Sequence, residues 1–133
     1  MKVEKIFSGN NLEEVAKEFS EIIARNHLEH LEFWKSTVKG KELNTWRKRI
    51  KAEPRLVRKN SHKKILEIMQ KVKENEKFYK QKWLLFTDEN QIVITKDSGF
   101  YEDLLPDQDI TYSVHVNRKY IIDKKNLCIF QIK

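Results

Sequence analysis

The spacing of apolar residues changes once along this chain, near Trp83, and that change limits the fold more than any motif does. Before it, apolar side chains recur at three- and four-residue steps, the period of a helix with one buried face. After it they alternate, the period of a strand. Helices gathered in the middle and strands in the last third exclude the βαβ alternation of a parallel sheet. The expected class is therefore α+β: about three helices packed on one face of an antiparallel C-terminal β-meander, with a short N-terminal strand joining the sheet. At 133 residues one domain over 1–133 is expected, helical over about 11–81 and β over about 83–132.

Local signals place the elements. Lys2 to Phe7 reads as a strand that ends in the turn cluster Ser8-Gly9-Asn10. Asn10 or Asn11 can then cap a helix with Glu13 and Glu14 in its first turn, where acids suit the positive end of the helix dipole. Its stripe of Leu12, Val15, Ala16, Phe19, Ile22 and Ile23 extends through Phe33 and Trp34 to about Thr37, and Gly40 can end it. Leu43, Trp46 and Ile50 mark a second helix, which Glu53-Pro54 should stop, because the residue before a proline avoids helical geometry. Ser61 can cap a third, with Ile65, Ile68, Met69, Val72 and Tyr79 on one side. Two hairpins are expected: Trp83–Thr87 with Ile92–Thr95, and Tyr120–Asp123 with Leu127–Ile132. The cleanest alternation is Ile110 to Asn117, and Leu104-Leu105 should cap the core. Leu84-Leu85-Phe86 and Ile92-Val93-Ile94 are apolar on both faces, so a dimer through the hairpin 83–95 is a candidate.

Several functional classes are disfavoured at once. The sequence holds no Gly-rich phosphate loop, paired Cys-x-x-Cys, His-Glu-x-x-His, Gly-x-Ser-x-Gly or calcium loop, and no cofactor is implied. Apolar runs long enough to cross a membrane are absent, and the first residues lack the apolar stretch of a signal peptide, so a cytoplasmic protein with no membrane partner is expected. The lone Cys128 cannot make an internal disulfide and sits in an alternating apolar stretch, which reads as packing.

Charge is more informative because it is local. The whole chain carries +7, but residues 41 to 64 hold ten cations against only Glu42 and Glu53, a net +8. Within that segment Lys48, Arg49, Lys51, Arg55, Arg58, Lys59 and Lys63 are the candidate contacts to phosphates. Lys48, Arg49, Arg55, Arg58 and Lys59 are expected to project outward together, since Leu43, Trp46 and Ile50 occupy the inner face.

Two polar features stand apart from it. Asn26 and His30 interrupt the stripe of the first helix, with His27 at its edge. They are expected to be buried and hydrogen-bonded to protein groups, although His27 and His30 are also the candidate metal ligands. His115, with Arg118 following it, lies on the polar side of a strand and supplies the candidate catalytic groups, an acid or base beside a cation. In outline the order of strand, helices and antiparallel meander resembles the RelE-type ribonuclease toxins, which implies metal-independent RNA cleavage as one reading. The expectation drawn from the residues is different: a small non-enzymatic binding or regulatory protein that engages a polyanion, preferentially nucleic acid, through 41–64. An inhibitor or adaptor for an acidic or apolar protein surface, of the kind mobile genetic elements encode, comes second, and the ribonuclease third.

Overall fold

The computed structural model of the chain describes residues 2–82, 85–88, 91–95, 99–101, 104, 105 and 118–132. The elements run β1 (Val3–Ser8), α1 (Leu12–Thr37), α2 (Lys41–Lys82), β2 (Leu85–Asp88), β3 (Gln91–Ile94), a 3₁₀ turn (Gly99–Tyr101), β4 (Lys119–Asp123) and β5 (Cys128–Ile132). The fold class is α+β. Among the described residues five strands form one antiparallel sheet in the order β1-β5-β4-β3-β2, so the N-terminal strand joins the meander along β5.

The start of α1 follows from its sequence. Asn11 caps it, its side-chain oxygen accepting from the backbone N–H of Glu14 at 2.9 Å, while the Glu14 carboxylate reaches back to the Asn10 N–H at 2.7 Å. The first bond satisfies an amide that a helix start would otherwise leave to water, and the second ties the residue before the cap to the first turn. Val15, Ala16, Phe19, Ile22 and Ile23 then face the core. Phe19 is its hub, meeting the rings of Phe100 and Tyr120 edge-on at 5.7 and 5.8 Å. Leu104 and Leu105 belong to the same cluster, as do Ile92, Ile94, Ile122 and Ile129 from the sheet. The last turn, between β4 and β5, is tied by Asp123, whose carboxylate accepts from the N–H groups of Lys125 and Asn126 and from the Asn126 side chain.

The helix count differs from the sequence expectation: among the described residues there are two helices and not about three. Pro54 lies inside α2, and the helix runs through it for 42 residues. The proline has no N–H for the Ile50 carbonyl and crowds it, at a cost of about 3 kcal/mol in a helix interior. What outweighs this is burial on the far side of the proline, since Val57, Ile65, Ile68 and Met69 are all at or below 1% exposure, and each such side chain contributes roughly 1.5–3 kcal/mol. Ser61, expected to cap a third helix, is buried in mid-helix and donates to the Val57 carbonyl four residues back. Between the helices Gly40 has φ +72°, a backbone state that costs glycine little, so α1 and α2 turn back on each other as a hairpin.

The strand signal at Ile110 to Asn117 and the residues 83 and 84 lie outside the described residues. The first expected hairpin is present as β2 paired with β3, and Ile92, Val93 and Ile94 of β3 are all buried. Among the described residues no helix is long and apolar enough to cross a membrane.

Because α2 is continuous, Pro54→Ala should stabilise the protein. The helical hydrogen bond returns, and the proline's restriction of the unfolded chain, worth about 0.4–1 kcal/mol, is lost. The net gain expected in urea denaturation is about 2 kcal/mol. An unchanged or lower midpoint would mean that the proline supplies a bend the packing needs.

Candidate nucleic-acid interface

Of the ten cations in 41–64, eight are exposed: Lys41, Arg47, Lys48, Lys51, Arg55, Arg58, Lys59 and Lys63. Lys48, Lys51, Arg55, Lys59 and Lys63 follow one another at steps of three and four, so the continuous helix sets them in one row. Arg58 lies beside the row and pairs with Glu21 of α1 at 3.0 Å, both side chains well exposed. Such a pair is worth little and is easily exchanged for another partner. Where the row passes α1, a groove of about 300 Å³ is lined by Lys17, Ser20, Glu21, Arg55, Arg58, Lys59 and His62. His62 stands 3.7 Å from Glu13.

Two cations turn inward. Lys64 donates to the Phe100 carbonyl at 2.8 Å. Arg49, expected in the outward set, is only 8% exposed. Its guanidinium binds both oxygens of Glu53, one turn on, and lies 4.7 Å over the Trp46 ring. Sequence spacing missed this because Arg49 is one residue from the outward face, and Glu53 and Trp46 together hold it across that boundary.

Glu53 is also the partner of His27. The Nε2 N–H of this fully buried histidine donates to the same carboxylate at 2.9 Å. His27, and not His30, is therefore the buried histidine of the polar island. Its Nδ1 has no hydrogen-bond partner among the described residues. His30 is half-buried and stands edge-on to Trp34, so the two candidate metal ligands do not converge. Among the described residues no group of three His, Cys, Asp or Glu side chains is placed to hold a metal.

Asn26, half-buried, donates to the Tyr120 hydroxyl at 2.6 Å and accepts from Arg118 at 3.4 Å. Of the polar island, Asn26 thus meets the candidate Arg118. The two line a cleft of about 240 Å³ between α1 and the sheet, with Glu18, Arg25 and Glu29 at its rim. His115, the other catalytic candidate, lies outside the described residues.

The end of the hairpin holds what the sequence reading put in the core. The last buried residue of α1 is Leu31; beyond it Phe33 is 62% and Trp34 43% exposed. Trp34 lies nearly parallel to Trp46 of α2, centroids 6.4 Å apart. An exposed pair of aromatics at the end of a periodic stripe is visible only once the length of the hairpin relative to the core is known.

No family model, no curated protein and no solved structure matches the chain. Among the described residues the fold is a long helical hairpin on a five-stranded antiparallel sheet.

Burial alone would raise the pKa of Glu53, but the bonds from His27 and Arg49 outweigh it and hold the carboxyl below its usual range. A carboxyl depressed in the folded state stabilises above its unfolded pKa of about 4.3 and loses that contribution as pH falls through the folded value. Glu53→Gln should therefore cost about 3 kcal/mol at neutral pH, because two buried donors lose their charged acceptor. It should also flatten the stability profile below about pH 4.3. A variant as stable as the parent in a denaturation series across pH would contradict this role.

Proposed function

We propose that the protein binds a polyanion, preferentially nucleic acid, through the outward row of α2, and that it does so without chemistry on the bound chain. The observation that supports this is the row itself: Lys48, Lys51, Arg55, Lys59 and Lys63 are all exposed on one face of one helix. Four residues of helix rise about 6 Å, so the row presents its cations at short regular intervals to a backbone that itself carries regularly spaced charges. Arg58 and Lys17 at the groove extend the same positive surface onto α1. The site residues of this reading are Lys48, Lys51, Arg55, Arg58, Lys59 and Lys63, with Arg49 reassigned to the packing beneath them. A cytoplasmic setting goes with the proposal, in keeping with a single, buried cysteine.

An acidic protein surface is the competing partner, and salt dependence alone does not separate the two, because steered protein association is salt-sensitive as well. Direct titration with nucleic acid does. The logarithm of the affinity for short duplex or single-stranded probes should fall linearly with the logarithm of salt concentration. Reversing Lys48, Arg55 and Lys59 to Glu should abolish binding, while stability changes by about 0.5 kcal/mol or less per exposed site. Wild-type protein that binds no DNA or RNA at low salt would defeat the proposal. Binding that survives the triple reversal would move the site off α2, toward the Arg118 cleft.

A further inference from the structure

The large apolar side chains left exposed among the described residues are Val3, Phe33 and Trp34, and two of the three stand together at the tip of the hairpin. Trp34 and Trp46 are equidistant from Gly40, one on each helix, and lie 18° from parallel. Phe33 meets Trp34 edge-on at 5.8 Å. The arrangement is fixed from below: Arg49 lies over Trp46, and Arg49 is itself held by Glu53, which is held by His27. A rigid indole is thus kept partly in water at a place where nothing in the core requires it.

Its surroundings are positive. From Phe33 to Lys48 the chain carries Lys35, Lys39, Lys41, Arg47 and Lys48 against Glu42 alone, and all of these but the half-buried Lys35 are exposed. Trp46 faces α1 whereas the row begins on the outer side of α2, and Lys39 and Lys41 at the turn connect the two around the tip. Lys41 and Lys48 lie within about 8 Å of helical rise of Trp46. Flat aromatic faces beside a track of cations suit a ligand with phosphates on one side and unpaired bases on the other, because every base has a face to stack and a duplex keeps its faces inside.

We infer that the hairpin tip is a base-stacking platform for single-stranded nucleic acid: Trp34, flanked by Phe33 and backed by Trp46, takes one base while Lys39, Lys41 and Lys48 lead its phosphates onto the α2 row. This rests on the proposed polyanion binding and specifies its ligand as single-stranded. The row alone would serve a duplex equally well, whereas the platform would not.

The test is fluorescence anisotropy at low salt with three labelled probes of about twelve nucleotides: oligo(dT), oligo(rU) and a DNA duplex. Wild-type protein should prefer the single strands, and the two single-strand probes report whether DNA or RNA is favoured. Trp34→Leu, which keeps apolar bulk but removes the ring, should weaken single-strand binding between about fivefold and a hundredfold and leave duplex affinity and the helical signal unchanged. Trp34→Phe should recover most of the loss. Single-strand binding that is unchanged in Trp34→Leu, or a loss shared equally with the duplex, would overturn the platform while leaving the cation row standing. A fall in sedimenting mass in Trp34→Leu with no change in oligonucleotide binding would overturn it in favour of contact between copies of the chain. Failure of the wild-type protein to bind any probe would remove both readings.

Discussion

Glu53 carries a negative charge within the two-helix layer, and it stays there because two donors on different helices meet it. Taking an ion pair out of water costs several kcal/mol per ion and is repaid only when the geometry is good and the remaining hydrogen-bonding capacity is filled. Here a two-pronged bond from Arg49 and a third bond from His27 fill it. The residue is also the one before Pro54, where the chain would ordinarily leave helical geometry. By tying Glu53 to its own helix one turn back and to α1 across the interface, the same three bonds hold α2 helical at the position where it is weakest. They also fix the pairing of the hairpin, since His27 and Glu53, like Trp34 and Trp46, lie equally far from Gly40.

What α2 offers to the outside follows from that continuity. A break at Pro54 would split the basic segment into a short helix, a connector and a second helix, with its cations pointing in unrelated directions. Unbroken, the helix sorts them: Arg49 and Lys64 go inward, to Glu53 and to the Phe100 carbonyl, and eight remain outside. The proposed interface therefore sits on a rigid element rather than a loop, which lowers the ordering cost of binding. The proposed stacking platform depends on the same network one step further out, through the guanidinium that lies over Trp46.

Much of this was legible in the sequence where one physical signal acted alone. The first helix is marked by its cap, its acidic first turn and its stripe, and it runs from Leu12 to Thr37 as those signals require. The final hairpin is marked by Asp123 to Asn126, and Asp123 makes the turn. The positive segment was plain from charge counting, but its geometry was not. Pro54 is a strong local stop that long-range burial of Val57, Ile65 and Ile68 overrides, and no local pattern reports that balance. Arg49 and His27 each sit at the edge of a helical face, where spacing leaves the direction open and the partner decides it. Phe33 and Trp34 continue an apolar stripe past the end of the core, which a period cannot reveal because it carries no information about where the neighbouring elements stop.

Whether one face of a continuous α2 is the contact surface can be measured by lysine acetylation footprinting with mass spectrometry, with and without an oligonucleotide, at a reagent level that leaves the fold intact. Lys48, Lys51, Lys59 and Lys63 should all lose reactivity when the oligonucleotide is present, on both sides of Pro54 alike, while Lys5 on β1 and Lys125 in the β4–β5 turn should react as before. Protection that stops at Pro54, that spreads evenly over every exposed lysine, or that falls on Lys125 while sparing α2 would contradict α2 as that surface.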